Sequence, residues 1–408
     1  MTNIKQMKGR QIASILRIQK EGNKWDVPSQ SGHGSYTVRH IEGRNAAWKC
    51  TCLDYEQNQL DCKHIFAVMY FEKLMVDAPK TARAIEEAVE RKTYSQNWPA
   101  YNKSQIEEKG TFLRLLADLA DTVQEPVGEP TGRPRLSMRD MVFTSALKVY
   151  TTFSSRRFMS DMRLALEKEY LTRGCAFSSI SNYMMDAKLT PILNGLIAMS
   201  ALPLKSVETK FAIDNTGFRT TRFSDYCREK HNTPQEHEWI KCHMVCGDKT
   251  NIVIGVEITE GNEADSPQFI TLVEKVANNG FTIDEVSADK GYSSIANYNA
   301  VQEVGGTAYI PFKSNTTGTV QSGSKGRLWR KMFNYFTFNR EEFMQHYHLR
   351  SNIETTNFMI KSKFMDFVRS KDKTAQVNEA LLKILCHNIV VLIHEMNELD
   401  IEPLRDNR

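Results

Sequence analysis

Two groups of side chains in this 408-residue chain have types and spacings that could do chemistry. The first is Cys50, Cys52, Cys62 and His64, which read Cys-x-Cys, nine residues, Cys-x-His. Three thiols and one imidazole are a donor set that suits tetrahedral Zn²⁺, and four protein ligands leave no open position for a substrate. The chemistry expected there is structural. The plainer reading is a chance group of buried thiols, but three of the eight cysteines fall within thirteen residues beside a histidine at a helix onset. The other cysteines, Cys175, Cys227, Cys242, Cys246 and Cys386, read as core residues; Cys242 and Cys246, with His243 between them, lie in a strand-like run rather than a second metal site.

The second group is acidic. Asp214 closes the apolar run "FAI", and Asp289 follows "TIDEVSA". Both are expected where a strand meets a loop, the place where open α/β sheets hold ligands. Glu354 lies in "YHLRSNIETTNFMIK", Tyr347 to Lys361. At about 100° per residue, Arg350, Glu354 and Lys361 fall near −60°, −20° and −40° from Tyr347 on one helix face. An ordinary i,i+4 surface pair accounts for Arg350 and Glu354 but not for all four residues. Two Asp on neighbouring strands and one Glu on a facing helix can hold two hard divalent cations, Mg²⁺ or Mn²⁺, about 3.5–4 Å apart for phosphoryl transfer. Arg350 and Lys361 would then contact flanking phosphates, and Tyr347 would pack on or hydrogen-bond to the strand. A lone Asp at a strand end is usually a cap or turn residue, and Asp284, Asp225 and Glu257 read that way.

The elements that must position these groups fall into three parts: 1–90, 91–209 and 210–408. In the first, "SYTVRHIEGRNAAWKCTC" alternates as two strands around an "EGRN" turn, and "CKHIFAVMYFEKLM" reads as a helix, giving a small ββα zinc module. The second is all-helical: "IEEKGTFLRLLADLADTV", "MRDMVFTSALKVYTTF", "FMSDMRLALEKEYL" and "ISNYMMDAKLTPILNGLIAM". In the third, the period changes to β-type runs, "KFAIDNTGF", "WIKCHMVCG", "NIVIGVEIT", "TIDEVSAD" and "TAYIPF", with helices between them in the order βββαβαβα. The fold class is therefore α/β, a mixed sheet flanked by helices, preceded by the helical region and the zinc module. "SNTTGTVQSGSKG" is the one low-complexity stretch, a loop.

Net charge is +4. Between Lys313 and Lys373, 12 Lys plus Arg stand against 5 Asp plus Glu, or +7, which leaves −3 for the rest. The positive charge is gathered around the Tyr347–Lys361 stretch, as a phosphate-neutralising surface requires. No run of 18 apolar residues appears, because Cys386, His387 and Asn388 interrupt Ile384 to Ile393, and the N-terminus lacks a signal-peptide pattern. The expected place is the cytoplasm, associated with the nucleoid, with no membrane partner.

The Cys-x-Cys and Cys-x-His pairs resemble the SWIM zinc finger over about Tyr36 to Leu74. Tyr347, Arg350, Glu354 and Lys361 match in full the Tyr-x2-Arg-x3-Glu-x6-Lys signature of DDE transposases of bacterial and archaeal insertion sequences. "AIDNTGF", "HEWIKCHMVCGDKTNIVIGVEITEGNEADSPQF" and "ADKGYSS" extend that resemblance over about Lys210 to Lys373. It implies an RNase H-like domain with Asp214, Asp289 and Glu354 as the triad, acting on double-stranded DNA as a homodimer that cuts transposon ends and joins the freed 3′-hydroxyl to target DNA. Relatives of this type carry a large β-rich insertion between the second Asp and the Glu; here 64 residues separate Asp289 from Glu354. Recognition of the ends is expected from the helical region, with Gly132-Arg133-Pro134-Arg135 as a minor-groove arm or an ordinary linker, or from the zinc module. Trp329 is either a stacking residue for an unpaired base or a core anchor. Two rival functions use the same residues: a domesticated regulator that binds DNA without cutting, and a nuclease that does not join strands.

Overall fold

The computed structural model describes residues 4–15, 18–29, 34–41, 47–72, 97–125, 135–220, 239–260, 263, 265–316, 325–401 and 403. The "EGRN" turn, Gly132 to Pro134, Asp225, Cys227 and most of the "SNTTGTVQSGSKG" loop lie outside the described residues. The chain divides into two compact units, Met1–Ser95 and Gln96–Arg408.

The first unit is larger than the ββα module read from sequence. Helix α1 (Ile4–Ile15) is followed by β1 (Gln19–Glu21), β2 (Lys24–Pro28), β3 (Ser35–Ile41) and β4 (Ala47–Cys50), an antiparallel sheet in the order β1-β2-β3-β4. Then come α2 (Leu53–Asn58) and α3 (residues 63–72). The alternation in "KWDVP" turns Trp25 and Val27 inward and Lys24 and Asp26 outward, so β2 was readable by its period even though it was not expected. Trp25 and Val27 join Ile12, Val38, Ile65 and Val68 in a small core that also holds Cys50, Cys52 and Cys62. Gly9 on α1 lies so close to Phe66 and the Lys63 carbonyl that a Cβ there would stand 2.5 and 2.9 Å from them; only glycine permits that approach.

The second unit is built on a five-stranded sheet in the order β7-β6-β5-β8-β9. Its strands are β5 (Lys210–Arg219), β6 (Trp239–Gly247), β7 (Val253–Glu260), β8 (Glu285–Ala288) and β9 (Thr307–Tyr309). The first three pair antiparallel, and β8 and β9 add parallel to β5. That is the RNase H-like mixed sheet. α9 (Ser266–Asn278) and α10 (Ile295–Glu303) are the crossover helices, and α11 (Lys325–Phe338), α12 (Arg340–Tyr347), a 3₁₀ turn (His348–Arg350) and α13 (Ser351–Phe364) follow. α11 was not anticipated. No β-rich insertion appears among the described residues between Asp289 and Glu354.

Helices α4 (Trp98–Asp121), α5 (Met138–Thr151), α6 (Met159–Glu167), α7 (Phe177–Met184) and α8 (Leu189–Ala201) share one hydrophobic core with the sheet. The run "ISNYMMDAKLTPILNGLIAM" was read as one helix but is two, bent by 87°. Pro191 supplies the reason: a proline is tolerated in the first turn of α8 but would break the interior of one continuous helix.

The helices and sheet of the second unit close around α14 (Lys373–Glu398). Among the described residues it is long and apolar enough to cross a membrane by length and composition, yet 89% of its apolar window is buried inside the protein, as in a core helix. Its polar residues have internal partners. Asn388 donates to the Val253 carbonyl at 2.7 Å and accepts the Val253 N–H at 2.9 Å, and His387 Nε2 lies 2.9 Å from the Asn251 carbonyl. Such pairing makes burial of polar groups tolerable.

Candidate metal centres and active site

The zinc-type cluster assembles from neighbours in sequence. β4 ends in Cys50, Cys52 caps α2, and Cys62 and His64 open α3. All four residues are buried, and their ligand atoms lie within 4.8 Å of one another. His64 Nδ1 stands 3.8 Å from Cys50 Sγ and 3.9 Å from Cys62 Sγ. Those are close to the edges of about 3.5–3.8 Å that a tetrahedron with Zn–S of about 2.3 Å and Zn–N of about 2.0–2.1 Å would have. Tyr36 stacks on the imidazole at 4.4 Å and fixes its plane. The Cys50 and Cys62 thiols share a hydrogen bond that draws Cys62 down and pushes Cys50 up. The donor set and spacing fit zinc.

The second candidate is assembled by tertiary structure. Asp214 does not end a strand, as its sequence context suggested; it is the fifth residue of the ten in β5. β5 runs on because β6 pairs along its whole length, from Phe211↔Gly247 to Arg219↔Trp239. What ends near Asp214 is the parallel ladder to β8, whose last pair is Ile213↔Ala288. Asp214 and Asp289, each the next residue, therefore sit side by side at roughly the inter-strand spacing of 4.8 Å. Asp289 raises the pKa of Asp214 by its charge, a smaller effect than burial. Burial, the largest cause, lifts Asp214 above the usual carboxylate range against the pull of Arg350.

Helix α13 runs alongside β5 and is pinned at both ends. At its start, the Asn352 amide donates to the Asp248 carbonyl at 2.8 Å and to the Asp248 carboxylate, in the turn between β6 and β7. That turn is held by buried Glu208, whose carboxylate accepts from Thr250 N–H and Oγ1, both at 2.7 Å. A Cβ on Gly247 would stand 2.3 Å from that carboxyl carbon, so the turn requires glycine. At the far end, Lys363 donates to both oxygens of Glu108 at 2.7 Å, and Lys383 donates to the Met365 and Phe367 carbonyls at 2.9 and 2.6 Å. Asn352, Glu208 and Lys383 escaped sequence reading because nothing local marks an Asn, Glu or Lys as buried and paired across the fold.

Between these anchors, Arg350 bridges two of the three carboxylates. Its guanidinium donates to Asp214 Oδ2 at 2.8 Å and to Glu354 Oε1 at 2.7 Å. A cation thus occupies the corner between strand and helix, and the carboxylate oxygens there do not converge on one point; among the described residues, the Cys₃His cluster is the group that does. Glu354 remains 59% exposed and Asp214 14%. Burial is the main cause that raises the Tyr347 hydroxyl, and the Asp289 and Asp214 charges add to it. The 3₁₀ turn at His348–Arg350 advances more than 100° per residue and shifts Tyr347 out of strict phase with α13. Lys361 lies further along, half-buried, with its amine 5.9 Å from the Phe218 ring near the end of β5. Burial lowers its pKa.

The remaining readings separate cleanly. Trp329 is in the core against Tyr298 and Phe312 and is no stacking platform. Cys242, Cys246 and His243 are buried in β6, and burial pushes both thiols up to about 12. His243 pairs in register with Asn215 and so points to the sheet face opposite Asp214. Asp284 is exposed at a loop, and Glu257 pairs with Lys275 at 2.7 Å. Tyr292, buried just after Asp289 and close to Asn215, was quoted within "KGYSS" without a role; it packs against Phe269.

A mixed sheet of this order, flanked by helices, defines a domain of the RNase H-like class. Residues 205–389 match the family model described as the transposase DDE domain, and residues 36–73 match the SWIM zinc finger. The chain carries a transposase DDE domain and, ahead of it, a SWIM zinc finger. Among solved structures it is similar to a cryo-EM structure of a piggyBac transposase synaptic complex with hairpin DNA, at 12% identity and a TM-score of 0.36, over 72% of this chain and 74% of that one.

Proposed function

We propose that Asp214, Asp289 and Glu354 form the catalytic triad for cleavage of double-stranded DNA at transposon ends and transfer of the 3′-hydroxyl into target DNA. The observation that carries this reading is the Arg350 bridge between Asp214 and Glu354, beside the register-paired Asp289. A guanidinium shared by two carboxylates marks a corner whose charge calls for a cation, and hard oxygen donors suit Mg²⁺ or Mn²⁺. Two such ions, when bound by the triad, would supply Lewis acidity to the attacking and leaving oxygens.

The chain's own residues do the rest. Asn352 and Glu208 hold α13 and the β6–β7 turn so that Glu354 faces the acidic pair. Arg350 exchanges a carboxylate for a phosphate as DNA arrives, since both accept its fork of N–H donors. Lys361 takes a phosphate further along the strand, and Tyr347 limits water at the acids. We assign the three parts distinct work: 1–90 a zinc-held contact module, 91–209 reading of the ends, and 210–408 the chemistry. Cutting two ends together calls for a homodimer on DNA, and such an enzyme works in the cytoplasm at the nucleoid.

The test is Mg²⁺- or Mn²⁺-dependent cleavage and joining of labelled DNA from the ends of the source element, wild type against Glu354→Gln. Loss of both reactions in the variant with DNA binding intact supports the reading. Binding without cleavage by wild type would leave the regulator, and cleavage without joining the nuclease.

A further inference from the structure

The solvent stripe of α13 consists of Ser351, Glu354, Thr355, Phe358 and Ser362. Four of these are short or polar. Phe358 is 71% exposed, and among the described residues no ring or cation is paired with it. A single exposed apolar side chain is ordinary on a protein surface. Its place sets this one apart. Phe358 lies one helical turn, about 6 Å, beyond Glu354 and about 40° around the helix from it. Arg350, in the 3₁₀ turn before α13, and Lys361 share a line about 60–80° around the helix from the ring, so an unpartnered ring stands beside two cations, at a height between them. Cations that track a backbone, with an aromatic face between them, are how proteins hold unpaired nucleotides. Trp329, the aromatic that sequence alone suggested for that task, is consumed by the core.

We propose that Phe358 stacks on an unpaired nucleobase beside the scissile phosphate and keeps the DNA end opened over the carboxylates. The proposal rests on the transposase reading above and adds a base-contacting residue to it. The flanking Ser351, Thr355 and Ser362 leave the ring as the one large projection on the stripe, so a base can reach it without a competing side chain.

The experiment uses full-length protein and a duplex of the source element's end carrying 2-aminopurine, in separate preparations, on either side of the scissile phosphate. Wild type is compared with Phe358→Ala, Phe358→Trp and Glu354→Gln. Stacking predicts a fluorescence change at one of the two positions with wild type and Glu354→Gln, its loss with Phe358→Ala, and its return with Phe358→Trp. Cleavage of paired duplex by Phe358→Ala should fall roughly 5- to 100-fold, the range expected when one base–aromatic stack is removed. It should recover on a substrate mismatched at that position. Wild-type cleavage without a fluorescence change would overturn the stacking and leave the transposase standing. A fluorescence change without cleavage would retain the stacking and remove the transposase reading. Unaltered cleavage by Phe358→Ala, a defect that mismatches do not relieve, or loss of self-association in its place would each overturn the proposal.

Discussion

The zinc-type cluster and the acidic site differ in how the chain reaches them. The four ligands of the first lie within one short stretch, are fully buried, and already converge. The three acids of the second come from two strands and a helix, and Glu354 stands 59% exposed. One of the paired acids is tied to Arg350 rather than aimed at a shared point. The contrast matches the work proposed for each: a closed site that holds a fold, and an open one that admits a substrate. Closure needs only local spacing. Openness requires charges to be kept apart, and here the guanidinium stands between Asp214 and Glu354.

Cys62→Ser should cost the most, since structural zinc contributes apparent binding energies on the order of 10 kcal/mol to folding. The first unit of that variant should lose its metal by elemental analysis and become protease-sensitive, while the melting of the second stays put. Retained zinc would break the comparison. Asp214→Asn should do the opposite, lowering DNA cleavage by about 10³-fold or more, on the order of 4 kcal/mol in the barrier, with a melting temperature close to wild type. A folding defect there would recast Asp214 as structural.

Asn352→Ala releases α13 from the Asp248 turn and should lower the cleavage rate by about 10- to 100-fold, because a displacement near 1 Å misplaces Glu354. DNA affinity measured alongside should hardly change. The smallest effect concerns Glu395 on α14, whose carboxyl burial, then Glu398 and Glu208, push up to about 7. A carboxyl with a raised folded pKa favours the native state below its unfolded value, and that contribution is lost as pH rises from about 4.5 to about 7. Glu395→Gln should flatten that slope by about 1–2 kcal/mol after allowance for solvent screening. Parallel melting curves for both proteins across that window would argue against the shift.

Legibility in the sequence followed the range of the interactions. The strands β5 to β8 announced themselves by period, and α5 began at Met138 as its run suggested. The first-unit sheet was half seen, because β1 has three residues, all exposed, and β2 only five. The bend between α7 and α8 had a visible cause in Pro191. α14 was harder: Asn388 and His387 look like interruptions of an apolar run until Val253 and Asn251 are seen to accept them.

What the sequence determined by itself were residue types at fixed spacing: the Cys₃His set, the Tyr347–Lys361 pattern and the acids after apolar runs. These depend on neighbours along the chain, whose separations the backbone geometry sets. The tertiary structure alone decided that Asp214 lies mid-strand beside Asp289, that Arg350 joins Asp214 to Glu354, that Trp329 is core and that Phe358 is bare. Each of these depends on which distant segment packs against the residue, through strand register and burial that no local pattern encodes.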